Sequence, residues 1–136
     1  MLVIAVLVWG IYRKARMDED SLQIAVSTTE EVFSTVSGQR LAQLAHPTLL
    51  EQRPADSLNA YVVSIPRIMG TLDAIQSISG ATDVSLFPFS LRPPRANYAI
   101  ELIFNGNPAT AIMAMIYAEE GWQFTAFRVD AEMLFN

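Results

Sequence analysis

Hydrophobic and polar positions divide this chain into three regimes. Residues 1–12, MLVIAVLVWGIY, carry no charged side chain, and Arg13-Lys14-Ala15-Arg16 follows at once. From Leu22 onward apolar residues recur at helical spacing: Leu22, Ala25/Val26, Thr29, Val32/Phe33 and Val36 form one stripe. This helix either runs unbroken from the first segment or starts afresh at the capping-box pattern Thr28-Thr29-Glu30-Glu31, and Gly38 ends it in both cases. Leu41–Leu50 predicts a short helical piece broken at Pro47, and Arg53-Pro54 a loop. Asp56 or Ser57 then caps a second amphipathic helix with Leu58, Tyr61/Val62, Ile65 and Ile68/Met69 on one face. Pro66 should kink that helix and Gly70 end it.

From Thr71 the period changes from helical to two. Leu72–Ser79 predicts a strand with Leu72, Ala74, Gln76 and Ile78 on one face, extended over 83–89 after a bulge at Gly80. Tyr98, Ile100, Leu102 and Phe104 alternate on the next strand, and Asn105-Gly106 marks a tight hairpin. Residues 110–118 are apolar on both faces, which predicts a central strand covered on each side. Glu119-Glu120-Gly121 predicts a further turn. On the last strand Trp122, Phe124 and Ala126 alternate with Gln123, Thr125 and Phe127. Helices first, then a meander of about four antiparallel strands, predict an α+β fold with two to three helices packed on one sheet face.

The first segment changes the picture most. Its twelve residues make only about 18 Å of helix, or about 25 Å counted to Met17, against a hydrocarbon core of about 30 Å. A cleaved signal peptide is disfavoured because nothing basic precedes Leu2 and Arg-Lys-Ala-Arg stands where a cleavage site belongs. A buried core helix is disfavoured because a run apolar on every side is hard to satisfy in so small a domain. The expectation is a retained membrane-anchor helix over 1–17, followed by a single domain over 18–136. Leu2, Val3, Ile4, Val6, Leu7, Val8, Trp9, Ile11 and Tyr12 would lie in the bilayer, with Arg13, Lys14 and Arg16 snorkelling at its interface. Basic residues on that flank favour a cytoplasmic domain by the positive-inside bias, whereas a start further upstream would reverse the assignment. The expectation adopted is a bacterial inner-membrane anchor with the domain on the periplasmic side.

Charge and composition then narrow the partners. The 136 residues carry a formal net charge of −5, and beyond Arg16 six arginines face all fourteen acids, leaving −8. Such a domain repels a phosphate backbone, which excludes nucleic acid. The chain has no cysteine, so disulfides, thiolate metal sites and thiol catalysis are excluded. No motif for a metal or other cofactor is present, and the six glycines punctuate turns without forming a phosphate loop.

The order of elements resembles the cystatin-like, or nuclear transport factor 2-like, superfamily, in particular its small membrane-anchored bacterial type. The features that carry the resemblance are a helix ending at Ser37-Gly38-Gln39, the Leu41–Leu50 piece, and a helix ending at Met69-Gly70. A strand over 72–78 and three long strands follow, the last opening with Glu120-Gly121-Trp122-Gln123-Phe124. The resemblance spans roughly residues 22–130, and no catalytic residue transfers with it. It implies a curved sheet wrapped on helices as a cone with an apolar pocket. Members include isomerases, dehydratases, small-molecule binders and structural subunits. One membrane-anchored branch, the periplasmic-facing subunit of type IV secretion channels, works by protein–protein contact, and its members are usually longer than this chain.

Candidate chemistry is sparse. His46 is the only histidine and sits beside Pro47 at a helix break, where capping is the expected role. An isomerase-like site needs an acid in the cone and a hydroxyl donor opposite. The acids on offer are Asp73, Asp83 and Glu101, and the donors are Tyr61, Tyr98 and Tyr117. Glu101 shares a strand face with Ala99 and Ile103 and opposes Tyr98, so that pair cannot meet. Met113, Met115, Tyr117 and Phe127 are the candidate pocket lining, with core packing as the alternative. Arg128 and the Arg92/Arg95 pair are candidate carboxylate clamps or solvated rim. Phe87, Phe89 and Leu91, in a proline-rich loop, are the candidate partner-binding patch, and the apolar tail Met133-Leu134-Phe135 also needs something to pack against. The expectation is a non-catalytic, membrane-tethered accessory or assembly subunit that binds a protein partner. The alternative is a small-molecule binder or isomerase/dehydratase-like enzyme that uses the cone pocket.

Overall fold

A computed structural model of the chain describes residues 2–83, 93–118 and 121–131. Four helices precede four strands: α1 (Leu2–Thr35), α2 (Gln39–Gln43), α3 (Pro47–Gln52), α4 (Ala55–Met69), β1 (Leu72–Asp83), β2 (Arg95–Phe104), β3 (Asn107–Ala118) and β4 (Gly121–Asp130). The strands form one antiparallel sheet in the order β1-β2-β3-β4. The fold is α+β, with helices packed on one side of a meander, as the change of period predicted.

The helical stripe of α1 (Ala25, Val32, Phe33) and that of α4 (Leu58, Val62, Ile65, Met69) are buried in one core with Tyr98, Ile100, Leu102 and Phe104 of β2. Phe33 packs edge-on against Phe104 with centroids 5.1 Å apart. The β2–β3 hairpin turns on Asn105 (φ +50°) and Gly106 (φ +83°), the doubly left-handed turn that suits the twist of antiparallel strands.

Local chemistry moved several boundaries. No helix starts at Thr28-Thr29: both residues are buried within α1, and Thr29 Oγ1 donates to the Ala25 carbonyl at 2.8 Å. Its hydroxyl therefore serves the helix interior instead of a cap. The helix ends at Thr35, before Gly38, with Val36 next in the left-handed region (φ +52°) and Ser37 N–H donating to Val32 O at 3.1 Å. Gly38 instead precedes α2, its N–H held by Asn59 Oδ1 at 2.7 Å. Neither Asp56 nor Ser57 caps α4, which opens on Pro54 with no side-chain cap and continues through Pro66 to Met69.

The sheet departs from simple alternation at three places. β1 runs unbroken through Gly80, and its irregularities lie between Leu72 and Ala74 and between Ile75 and Ser77. Those two slips put Leu72, Ile75 and Ile78 opposite Phe104, Leu102 and Ile100, in place of a Leu72/Ala74/Gln76/Ile78 face. A shift opposite Ala114 and Met115 leaves Thr125 unpaired in β4. Phe127 and Val129 consequently join Trp122 and Phe124 on the core side, and Ala126 turns outward. β3 is covered on one side only: Ala109, Ala111, Met113 and Met115 are buried, whereas Ile112, Ala114 and Ile116 are half-buried on the opposite face.

Candidate functional site

Among the described side chains none from Ile4 to Arg16 belongs to the buried core, and Met17 is the first of α1 to pack against it. Along this stretch Ile4, Val8, Ile11 and Tyr12 are 60–62 % exposed, and Trp9 is also exposed. Arg16 donates to Tyr12 Oη at 3.0 Å, one turn away, and stacks over the same ring. The side chains of Leu2, Val3, Val6, Leu7, Arg13 and Lys14 lie outside the described residues. Among the described residues no helix is long and apolar enough to cross a membrane.

Where α1 joins the sheet, a polar cluster fastens it. Asp18 Oδ1 accepts from the Thr82 backbone N–H at 3.1 Å and from the Thr82 hydroxyl. Ser21 Oγ lies 2.7 Å from Tyr98 Oη, and Tyr98 also donates to Asp18 O at 3.3 Å. Ser21, Thr82 and Tyr98 are all buried, so these bonds operate away from water, where leaving one unmade is costly. Tyr98→Phe is therefore expected to destabilise the fold by about 1–2 kcal/mol. It should also speed amide exchange at Thr82 and over residues 17–22. Unfolding measurements with hydrogen exchange check this, and unchanged exchange at Thr82 would show that the cluster does not act as a unit.

The sequence's candidates for chemistry are dispersed. His46 caps α3, its Nδ1 accepting from Thr48 N–H at 3.2 Å. Asp73 accepts from Gly106 N–H and Glu101 from Ser77 Oγ, both at exposed positions, and the Asp83 side chain lies outside the described residues. Tyr61 Oη accepts from Val129 N–H at 2.8 Å, Tyr98 belongs to the cluster above, and Tyr117 packs on Trp122. Neither Asp73 nor Glu101 lines the cavity described below. Among the described residues no group of three His, Cys, Asp or Glu side chains is placed to hold a metal.

Met113, Met115 and Phe127 are buried in the core, and Tyr117 is half-buried beside it. Phe127 packs between Phe33 and Phe124, with both centroids 6.3 Å away. Arg128 pairs with Asp130 at 3.4 Å, and both are largely solvated. Phe87, Phe89, Leu91, Arg92 and the Met133–Phe135 tail lie outside the described residues.

The sheet face turned away from α1 and α4 carries a further feature, bordered by Met113 and Phe127 of the expected pocket lining and by Arg128 of the expected clamps. An open trough of about 680 Å³ crosses all four strands there. Strand alternation puts Ser79, Asn97, Ala99, Ile112, Ala114 and Ala126 along it, with Arg128 at the β4 edge and Gln52 and Arg53 forming a wall beyond α3. A smaller hollow of about 270 Å³ adjoins it at Asn97 and Ala114 and reaches Arg95, His46 and Thr48. The wall stands where it does because the segment before α3 pairs with the bulged part of β4: His46 N–H donates to Phe124 O and Phe124 N–H to Leu44 O, both at 2.8 Å. Small residues at outward positions of β2, β3 and β4 (Ala99, Ala114, Ala126) were the available signal. The Thr125 bulge hid it by putting Ala126 in the inward phase.

No protein-family model, curated protein or solved structure matches this chain.

Proposed function

We propose that this chain is a non-catalytic binding domain tethered to a membrane by a single helix, and that it serves as an accessory or assembly subunit of a membrane protein complex. The observation that carries the reading is the division of α1. One half is built into the core through Ala25, Val32 and Phe33, and the other bears exposed Ile4, Val8, Trp9, Ile11 and Tyr12. Exposed apolar side chains along one helix cost free energy in water, about 25 cal/mol per Å² of apolar surface, and call for a bilayer or a partner. The stretch from Leu2 to Met17 spans about 24 Å at 1.5 Å per residue, and snorkelling by Arg13, Lys14 and Arg16 or local thinning makes up the difference from a full hydrocarbon core. The cystatin-like scaffold, the bacterial inner membrane and a periplasmic domain belong to the same proposal.

Membrane fractionation of the full chain tests it. The wild type should resist extraction by alkaline carbonate, and the double variant Val8→Arg/Ile11→Arg should move mostly to the supernatant. Two central charges cost roughly 2.5–3.5 kcal/mol each on the insertion scale. A wild-type chain that is monodisperse without detergent overturns the tether. Because the sequence lacks cysteine, a single Ser57→Cys label with an impermeant maleimide reports which side the domain faces. Recovery of a stoichiometric membrane partner in mild detergent, lost on replacing residues 1–16, supports the subunit role. A chain recovered alone from its native membrane argues against it.

A further inference from the structure

The proposed tether leaves the far side of the sheet unexplained. We infer that the trough on that face is a binding site for a single-chain amphiphile with an anionic head, a carboxylate or a phosphate. Its volume of about 680 Å³ falls within the range of roughly 300–1,000 Å³ over which proteins enclose small ligands. Its floor is apolar and shallow, because Ala99, Ile112, Ala114 and Ala126 meet there from three adjacent strands. A narrow alkyl chain fits such a floor better than a bulky ring system does.

The charge of the site runs against that of the domain. Residues 17–136 carry fourteen acids and six arginines, yet among the described residues Arg53 and Arg128 line the trough and no Asp or Glu does. The adjoining hollow adds Arg95 and, among the described residues, likewise holds no acid. Arg53 is preorganised, its guanidinium held 4.3 Å from the centroid of the Tyr61 ring, which is itself pinned by Val129 N–H. Arg128 pairs with Asp130 at 3.4 Å, a solvated pair that a better-placed anion can displace. Two guanidinium groups at one side of an apolar floor match a charged head followed by a hydrocarbon chain. The inference does not depend on the membrane tether.

The test uses the full chain in phosphatidylcholine nanodiscs, with empty discs as the blank and dansyl-labelled undecanoate as the probe. The expected result is saturable, blue-shifted emission at one probe per chain. Arg128→Gln should weaken binding about tenfold, the scale of one charge-assisted hydrogen bond, and Arg128→Lys should restore much of it. Ala126→Trp, at an exposed strand position, should block the floor and abolish the signal. The uncharged dansyl undecanol should bind the wild type about tenfold more weakly than the acid. Emission no greater than that of empty discs overturns the inference. So does binding that Arg128→Gln leaves unchanged, a readout that stands even if Ala126→Trp fails to fold. A doubled mass that Ala126→Trp restores to one copy would also overturn it, because a second chain would then be covering the trough.

Discussion

Replacing Phe33 with alanine is expected to remove about 3–5 kcal/mol of folding stability, the usual cost of emptying a buried aromatic site. Phe33 is 1 % exposed and is the point at which α1 meets the sheet, edge-on to Phe104 at 5.1 Å and tilted against Phe127 at 6.3 Å. Such aromatic pairs contribute roughly 0.5–1.5 kcal/mol each beyond their area, so both would be lost with the ring. Small domains hold only about 5–15 kcal/mol in all, and the variant should therefore lie close to the edge of folding. Urea unfolding of the full chain in mild detergent, followed by circular dichroism, gives the number. Phe33→Leu keeps much of the volume and should cost clearly less. A Phe33→Ala loss under about 1 kcal/mol would mean that α1 docks chiefly through its polar cluster with Thr82 and Tyr98.

Gly80→Ala should have the second-largest effect, a loss of about 2–4 kcal/mol. Gly80 sits within β1, three residues before its end, at φ +123°, a conformation that side-chain-bearing residues rarely adopt. A Cβ built there would lie 2.0 Å from the Asn97 carbonyl oxygen and 2.9 Å from Tyr98 Cα, both backbone atoms of the paired strand. Relief requires β1 to pull away from β2 where Gly80 faces Tyr98, and that movement strains the nearby contact of Thr82 with Asp18. The variant should show a lowered unfolding midpoint together with early amide exchange over residues 78–83. Stability within about 0.5 kcal/mol of wild type would show that the strand bends freely at this point.

Much of the fold was legible because local rules and tertiary context agree along most of the chain. The alternation of Tyr98, Ile100, Leu102 and Phe104 matches the buried face of β2 residue for residue. Asn105-Gly106 makes the expected turn, and His46 caps α3 ahead of Pro47. The misses are places where one residue changes the phase. Thr125 slips out of the ladder and turns Phe127 inward, the slip at Asp73 sets Ile75 opposite Leu102, and that at Gln76 brings Ile78 opposite Ile100. A bulge leaves the composition of a strand unchanged, so periodicity cannot see it. Thr28-Thr29 read as a cap because hydroxyls suit both a helix start and a bond to a carbonyl four residues back, and burial chose the second. The candidate site was less legible than the fold. Alanines facing outward on three strands carry no motif, and the arginines that line the trough come from the end of α3 and the edge of β4, seventy-five positions apart.

The continuity of α1 has a mechanical consequence. With no break between Tyr12 and Met17, the sheet is keyed to the front of the helix like a blade on a shaft. Ile4, Val8 and Ile11 form one line along that shaft, at the four- and three-residue steps of a helix. Whatever grips this line fixes the compass bearing of the trough as well as its height. One residue inserted near Ala15 would turn the blade by about 100° and lift it about 1.5 Å while leaving both ends chemically intact. Neighbours seated along the line would therefore sense torsional registry in addition to the presence of the domain.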